Sequence, residues 1–285
     1  MSRKKPRMAI CYDFDGTLAP GNMQEYDYIP RLKITSQEFW EQVNQRATEQ
    51  QADEILSYMC LMLEKANADK SKGIQITKKA FADYAQKVTL YPGVEEWFSR
   101  INEYGRQKGL KVEHYIISSG IREMIAGTAI AKEFTKIYAS SFMYDQNGVA
   151  YWPALAVNYT TKTQFLFRIN KGYLDEWDNT GINDYLEKSQ RPIPFNRMIY
   201  IGDGYSDVPC MRLVKEQGGT SIAVYKPRTP GKREIAMQLM AEGRVNMIAP
   251  ADYRAGNKLD VIMKRLIDKI AAEYRVLEFE QANNS

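Results

Sequence analysis

The sequence predicts an α/β fold, a doubly wound parallel sheet carrying one inserted all-helical domain. Three observations point there. Short apolar runs at residues 8–10, 111–117, 134–142, 198–201, 220–224 and 245–248 have the length and the bounding turns of buried strands. Helical stretches separate most of these runs, an alternation that pairs strands in parallel and covers both sheet faces. Residues 20–90 break the alternation, with helical periodicity and no clear strand. The expected division is therefore a core of residues 1–19 and 91–285 and a helical cap domain of residues 20–90.

The first strand ends in Cys11-Tyr12-Asp13-Phe14-Asp15-Gly16-Thr17. A turn at Phe14 or Asp15 sets both carboxylates at the carboxyl edge of the sheet, where open α/β sheets keep their chemistry. Carboxylates that close repel unless a cation or a shared proton relieves them. Asp and Gly are also ordinary turn residues, so this stretch alone fits a solvated turn equally well.

Pro20, Gly21, Asn22 and Pro30 then mark a loop, and Ser36 with Glu38 opens a helix carrying Phe39, Trp40 and Val43. A second helix starts near Ala52 and is broken by Lys70, Ser71, Lys72 and Gly73. Thr77 caps a third. The aromatic and Met positions of these helices read as packing. Tyr91-Pro92-Gly93 returns the chain to the core, and residues 94–107 form an amphipathic helix on Val94, Trp97, Phe98, Ile101 and Tyr104. The next strand stops at Ser118-Ser119-Gly120, with Arg122 opening a helix. A hydroxyl and backbone N–H groups there offer an anion site, or merely a helix cap. Asn147-Gly148 signals a hairpin.

Lys162 falls at a helix start, where a cation opposes the helix dipole and has a use if an anion binds. Lys171 is its nearby rival. Residues 172–195 are polar, with Tyr173, Leu174 and Trp177 marking a short helix. Met198 to Asp207 supplies a buried strand, Asp203 between Gly202 and Gly204 at its end, and Asp207 opening the next helix. The two glycines permit close backbone approach to a ligand. An amphipathic helix from Lys258 to about Tyr274 closes the chain.

Composition bounds the function. At 285 residues the chain can bury one large core and a smaller appended domain. Its 26% charged and 44% hydrophobic residues are ordinary for a globular protein. The net charge of +4 owes much to Arg3, Lys4, Lys5 and Arg7, read as a solvated tail; no nucleic-acid partner is expected. No apolar run approaches the roughly 20 residues of a membrane span, so no membrane partner is expected either. The apolar stretch after the basic start runs directly into Asp13, unlike a signal-peptide core. Cys11, Cys60 and Cys210 lack metal-ligand spacing and imply a reduced, cytoplasmic protein. His114, the one histidine, lies inside a strand and reads as a core residue, which leaves acid and base work to carboxylates.

Asp13 and Asp15, Ser118, Lys162, and Asp203 with Asp207 thus converge on one sheet edge. Magnesium wants hard oxygen ligands and keeps room for a substrate phosphate. Asp13 and Asp203 can supply two of those ligands, while Lys162 and Ser118 hold phosphoryl oxygens. Phosphoryl transfer needs little more than this positioning and charge neutralisation.

In that order these four motifs resemble those of the haloacid dehalogenase superfamily, and the inserted helices are similar to the cap of its phosphoserine-phosphatase-like branch, C1-type. The resemblance spans the whole Rossmann-like core. It implies a Mg²⁺-dependent phosphatase acting on a small phosphorylated metabolite through an aspartyl phosphate on Asp13. Asp15 would protonate the leaving group, activate water and lend its backbone carbonyl to the metal. Ser118, Ser119, Gly120 and Lys162 would bind the phosphoryl group. Asp203 would complete the metal site with Asp13 and Asp15, and Asp207 would orient a metal-bound water or Lys162. An acid at position 15 favours phosphate chemistry over carbon–halogen cleavage. Phosphoserine phosphatases typically carry serine where this chain has Gly16. A mutase or phosphotransferase with the same nucleophile, and a phosphate-ligand sensor without turnover, are the alternatives. Glu25, Tyr26, Tyr28 and Arg122 are positional candidates for specificity. Nothing in the sequence sets the oligomeric state.

Overall fold

The computed structural model describes residues 5–68 and 73–283. Its centre is β1 (Arg7–Tyr12), whose side chains divide by the period of two that a strand imposes. Met8, Ile10 and Tyr12 enter one apolar cluster, and Ala9 and Cys11 enter another. Burial on both faces explains why the strand is an unbroken apolar run.

Seven strands form one sheet in the order β4 (Ala150–Leu155), β3 (Lys136–Tyr144), β2 (Lys111–Ile121), β1, β5 (Met198–Gly202), β6 (Thr220–Tyr225), β7 (Met247–Pro250). All neighbours run parallel except β3 and β4, which the turn at Asn147-Gly148 folds into the predicted hairpin. The chain winds from β1 out to β4 at the edge, then crosses back to lay β5 on the other side of β1. Strand order reverses between β1 and β5, and at such a reversal the two adjacent loops part and leave a crevice. Tyr12 pairs with Ile201, and Asp13 donates its N–H to the Ile201 carbonyl at 2.9 Å. This register brings the ends of β1 and β5 side by side.

One face is covered by α5 (Val94–Gln107) and α10 (Lys258–Asn283), through Trp97, Phe98, Ile101, Met263 and Ile267. The other is covered by α7 (Lys162–Lys171), α8 (Val208–Glu216) and α9 (Lys232–Ala241), through Phe165, Leu166, Met211, Val214 and Leu239. Between β1 and β2 lie α1 (Tyr28–Arg31), α2 (Ser36–Gln50), α3 (Glu54–Ala68) and α4 (Lys78–Tyr84), with no strand among the described residues of this region. Phe39, Val43, Met59, Met62 and Phe81 of these helices are buried in the same cluster as Met8 and Ile10, so they pack, as predicted. Thr35 and Glu38 form a reciprocal capping box on α2, one residue before the predicted start, and the Thr77 hydroxyl accepts from Ala80 N–H at 3.1 Å to cap α4.

His114 is buried with a fixed set of partners. Trp97 Nε1–H donates to Tyr12 Oη at 2.9 Å, Tyr12 O–H reaches His114 Nδ1 at 3.0 Å, and His114 Nε2 faces Asn102 Oδ1 at 3.0 Å. An amide oxygen only accepts, so Nε2 carries the proton and Nδ1 takes that of Tyr12.

Several expectations need correction. β2 continues through Ser118, Ser119 and Gly120 to Ile121, with a shift in its register against β3 that absorbs the extra residues. Tyr173, Leu174 and Trp177 form no helix; the Arg168 guanidinium holds this stretch open by donating to the carbonyls of Asp175 at 2.7 Å and Asp178 at 2.8 Å. Arg7 does not belong to a solvated tail but opens β1, with Nη2 2.6 Å from Glu113 Oε2. The last strand begins two residues later than expected, and α10 extends past Tyr274 to Asn283. Arg3, Lys4 and the break at Lys70, Ser71 and Lys72 lie outside the described residues.

Candidate active site

Asp13 is the first residue beyond β1. The Phe14 carbonyl accepts from the N–H groups of Leu18 at 2.8 Å and of Thr17 and Ala19 at 3.2 Å, so the chain reverses immediately. In an uninterrupted strand Asp13 and Asp15 would share a face. The turn sends them apart: Asp13 faces Lys162, whereas Asp15 Oδ1 accepts from Met23 N–H at 3.0 Å, toward the inserted helices. Gly16 adopts φ +76°, and a Cβ there would lie 2.2 Å from Asp203 Oδ2. Only glycine lets the Asp203 carboxylate lie against this turn.

Lys162 is the first residue of α7 and is wholly buried. Its Nζ lies 2.8 Å from Asp207 Oδ1 and 3.2 Å from Asp13 Oδ1. Lys171, at the other end of the helix, donates to the Ile182 carbonyl at 2.6 Å and the Asp184 carbonyl at 2.7 Å. It takes no part in the site.

Asp207 precedes α8 but does not cap it with its side chain. Oδ1 also accepts from Tyr200 O–H at 2.8 Å, and Oδ2 accepts from Asp203 N–H at 3.1 Å. Gly202 makes room for this carboxylate rather than for a ligand, since a Cβ there would sit 2.3 Å from Asp207 Oδ2. Asp207 is thereby a buried strut joining Lys162, Tyr200 and the Asp203 backbone.

Ser118 is fully buried, and its Oγ accepts from Gly120 N–H at 3.1 Å. Ile121, not Ser118, stands at the N-cap of α6 (Arg122–Ala126), so the helix-cap reading of this serine does not hold. With only one helical turn behind it, any anion affinity here belongs to the bulged strand and not to a helix terminus. At Gly120 the chain passes close to the inserted region: a Cβ there would lie 2.4 Å from Met23 Cε and 3.0 Å from Asp15 Oδ2, so Met23 would have to shift.

One oxygen each from Asp13, Asp203 and Asp207 lies within 4.8 Å of the others. Buried Asp13 Oδ1 has no aligned hydrogen-bond donor among the described residues, although Lys162 is near. An orphaned carboxylate oxygen among hard oxygen donors, with no sulfur or imidazole present, fits Mg²⁺. Asp207 has both oxygens already engaged, which suits it to support and leaves Asp13 and Asp203 as the freer ligands. Burial, then the neighbouring Asp207 and Asp203 charges, push the Asp13 carboxyl up to about 7 against the pull of Lys162. Burial and Asp207 push Asp203 up to about 6. Burial and then Asp13 hold Asp15 well above the usual carboxylate range, against the pull of its hydrogen bond from Met23 N–H. Burial would lower Lys162, but Asp13 and Asp207 outweigh it and hold the ammonium charged.

Asp13, Asp15, Ser118, Ser119, Gly120 and Asp203 all line one cavity of about 520 Å³, with Lys162 and Asp207 behind its wall. The positional candidates for specificity do not line it. Tyr28 is core, with its hydroxyl on the Met62 carbonyl at 2.5 Å; Tyr26 donates to the Pro20 carbonyl; Arg122 pairs with Glu176 at 2.5 Å. Glu25 instead accepts from Trp40 Nε1 at 2.8 Å. Walls come from Gln24, Trp40, Asn44, Glu54 and Tyr58: sequence reasoning passed over four of these, and the packing expected of Trp40 is only part of its place, since its ring also lines the cavity. Trp40 and Asn44 on α2, and Glu54 and Tyr58 on α3, are each four residues apart and so share a helix face, but that spacing does not say which face meets the cavity.

A family model described as haloacid dehalogenase-like hydrolase matches residues 10–212. An uncharacterised protein of Borreliella burgdorferi is 29% identical over 283 residues, covering 91% of this chain and 96% of the relative. Among solved structures, a HAD family hydrolase from Salmonella enterica serovar Typhi aligns with TM-score 0.57 at 17% identity, over 93% of this chain and 72% of that one. A substrate-bound phosphoserine phosphatase aligns with TM-score 0.56 at 13% identity, over 92% and 99%. A probable phosphoserine phosphatase from Vibrio cholerae aligns with TM-score 0.55 at 13% identity, over 95% and 67%. At these identities the structural likenesses speak to the fold. No helix among the described residues is long and apolar enough to cross a membrane.

Proposed function

The chain belongs to the haloacid dehalogenase-like hydrolase family, and from that premise we propose that it is a Mg²⁺-dependent phosphatase hydrolysing a small-molecule phosphomonoester. The observation that carries this reading is the buried, donor-poor Asp13 Oδ1 at the mouth of β1, beside charged Lys162 and across the strand reversal from Asp203. A carboxylate so placed, with one oxygen held only by the Lys162 charge, suits a nucleophile.

Asp13 attacks phosphorus, and the ester oxygen leaves with the proton of Asp15, giving an aspartyl phosphate and an alcohol. Asp15, now a carboxylate, takes a proton from the water that attacks the phosphoaspartate, restoring Asp13 and releasing phosphate. Lys162 neutralises negative charge at Asp13, and Ser118, Ser119 and Gly120 receive phosphoryl oxygens on the bulged strand. Asp207 keeps Lys162 in place. Asp13, Asp203 and the Asp15 backbone carbonyl would hold Mg²⁺, which when bound neutralises charge on the phosphoryl oxygens. Residues 20–90 act as the cap over a core of residues 1–19 and 91–285, and the free thiols Cys11, Cys60 and Cys210 suit the cytoplasm.

The test is release of p-nitrophenol from p-nitrophenyl phosphate by purified protein with Mg²⁺, alongside EDTA and Asp13→Asn controls. Hydrolysis abolished in both controls is expected. Hydrolysis that survives Asp13→Asn would overturn the assignment of the nucleophile.

A further inference from the structure

The wall that the inserted helices give the cavity has a definite chemistry. From the helical region between β1 and β2 it receives Gln24, Trp40, Asn44, Glu54 and Tyr58, and the one charged side chain lining it from that region, among the described residues, is Glu54. Glu54 Oε2 is met by Tyr159 Oη at 3.2 Å. The Trp40 and Tyr58 rings, with centroids 5.9 Å apart, are inclined at 71°, and the Tyr58 hydroxyl is tied to the Ser119 carbonyl at 2.6 Å. Gln24 is 2% exposed, lines the cavity, and its Oε1 has no hydrogen-bond partner among the described residues. A buried acceptor left unpaired is costly, so this wall awaits a donor.

A carboxylate and an unpaired amide oxygen beside aromatic rings suit an ammonium that carries N–H bonds. A quaternary ammonium has no N–H for Gln24. A flat base stacks best in a slot, and Trp40 and Tyr58 make a corner. A carboxylate on the organic part would meet Glu54; of the two exposed lysines that also line the cavity, Lys232 already faces Asp203 Oδ2 at 3.6 Å, and Lys226 is open to solvent. We propose that the cavity selects the phosphomonoester of a small primary amino alcohol, its ammonium received by Glu54 and Gln24 against the Trp40–Tyr58 corner. This rests on the phosphomonoesterase reading above.

The experiment compares kcat/KM, with Mg²⁺, for O-phosphoethanolamine, phosphocholine, O-phosphoserine, glycerol 3-phosphate and AMP. Phosphoethanolamine is expected to lead glycerol 3-phosphate by at least tenfold and phosphocholine and phosphoserine by less. In Glu54→Gln the ratio of phosphoethanolamine to glycerol 3-phosphate should fall toward one. Both rates come from the same variant, so a partial loss of folding cancels. Glycerol 3-phosphate, AMP, phosphocholine or phosphoserine in first place, or a ratio unmoved by Glu54→Gln, overturns the proposal while the phosphatase reading stands. If no ester is hydrolysed, p-nitrophenyl phosphate included, that reading fails and calorimetry decides the site. Asp13→Asn protein with Mg²⁺ should then bind phosphoethanolamine at least tenfold tighter than glycerol 3-phosphate, and equal or absent binding overturns the proposal.

Discussion

Lys162 Nζ and Asp207 Oδ1 lie 2.8 Å apart, both closed off from solvent, across 45 positions of sequence. The pair joins the first turn of α7 to the residue before α8, and through Asp207 Oδ2 it fixes the Asp203 backbone. Charge buried this deeply is tolerated only while both partners remain. Lys162→Met should therefore lower unfolding free energy by about 3–5 kcal/mol in urea titrations. Turnover should vanish with it. A variant as stable as the parent would mean that water or another cation reaches Asp207.

Crowded acids make the metal-free protein sensitive to pH. Asp13 and Asp203 titrate near 7 and 6 in the folded chain, above the ordinary value of 3.8. Between those values the folded chain holds protons that the unfolded one has released. Their contribution therefore weakens as pH rises from about 4 to 7, by at most about 1.4 kcal/mol per pH unit for each proton. Asp13→Asn should flatten this decline in EDTA-treated protein. Mg²⁺ should raise the parent's melting temperature more at pH 7.5 than at pH 5, because at pH 5 protons compete for the same oxygens.

His114 pulls in the other direction. Burial lowers its imidazole to about 3 from an ordinary 6.5. Below about pH 6.5 the unfolded chain takes up a proton that the folded one refuses, so stability falls with falling pH in that window. Urea titrations of the parent and His114→Gln across pH 4–6.5 should differ in slope by up to one proton, whatever the variant's absolute stability. Identical slopes would show that the ring titrates normally.

Gly16→Ala tests the cradle for Asp203. The added methyl meets a carboxylate oxygen at 2.2 Å and sits on a backbone at φ +76°. A non-glycine residue in that region costs about 1–2 kcal/mol, and Asp203 must move. The Mg²⁺ concentration needed for half-maximal activity should rise at least tenfold, read from metal titrations of phosphate release. An unchanged requirement would remove Asp203 from the ligand set.

Asp15→Asn separates the two halves of the proposed reaction. p-Nitrophenolate leaves without help from an acid, whereas the second half still needs a base. The variant should release a burst of p-nitrophenol near one equivalent, then turn over about 10²–10⁴-fold more slowly. Rapid-quench measurement would detect the burst. A slow, burst-free release would assign Asp15 to the first step alone or to structure.

Much of this site was legible in the order of residues. Asp13, Asp15, Ser118, Lys162, Asp203 and Asp207 each stand where an apolar strand run stops or a helix begins, and an alternating α/β pattern must gather such ends on one edge. The cavity wall contributed by the inserted helices was not legible in the same way. Glu25, Tyr26, Tyr28 and Arg122 lie close in sequence to the motifs, yet their side chains turn to Trp40, Pro20, Met62 and Glu176. Which face of an inserted helix meets the crevice depends on how that helix docks, and periodicity alone cannot say.

The sequence by itself determined which acids, serine and lysine gather at the sheet edge and where the helices are inserted, because strand burial, turn glycines and helix starts are local properties of short runs. Only the tertiary structure decided that Asp207 serves as a buried strut, that Ser118 sits in a bulged strand and not at a cap, and that Gln24, Trp40, Glu54 and Tyr58 close the cavity. Those outcomes depend on pairings between residues dozens of positions apart. Such pairings are selected by the register of β1 with β5 and by the packing of α2 and α3, which no single stretch of chain encodes.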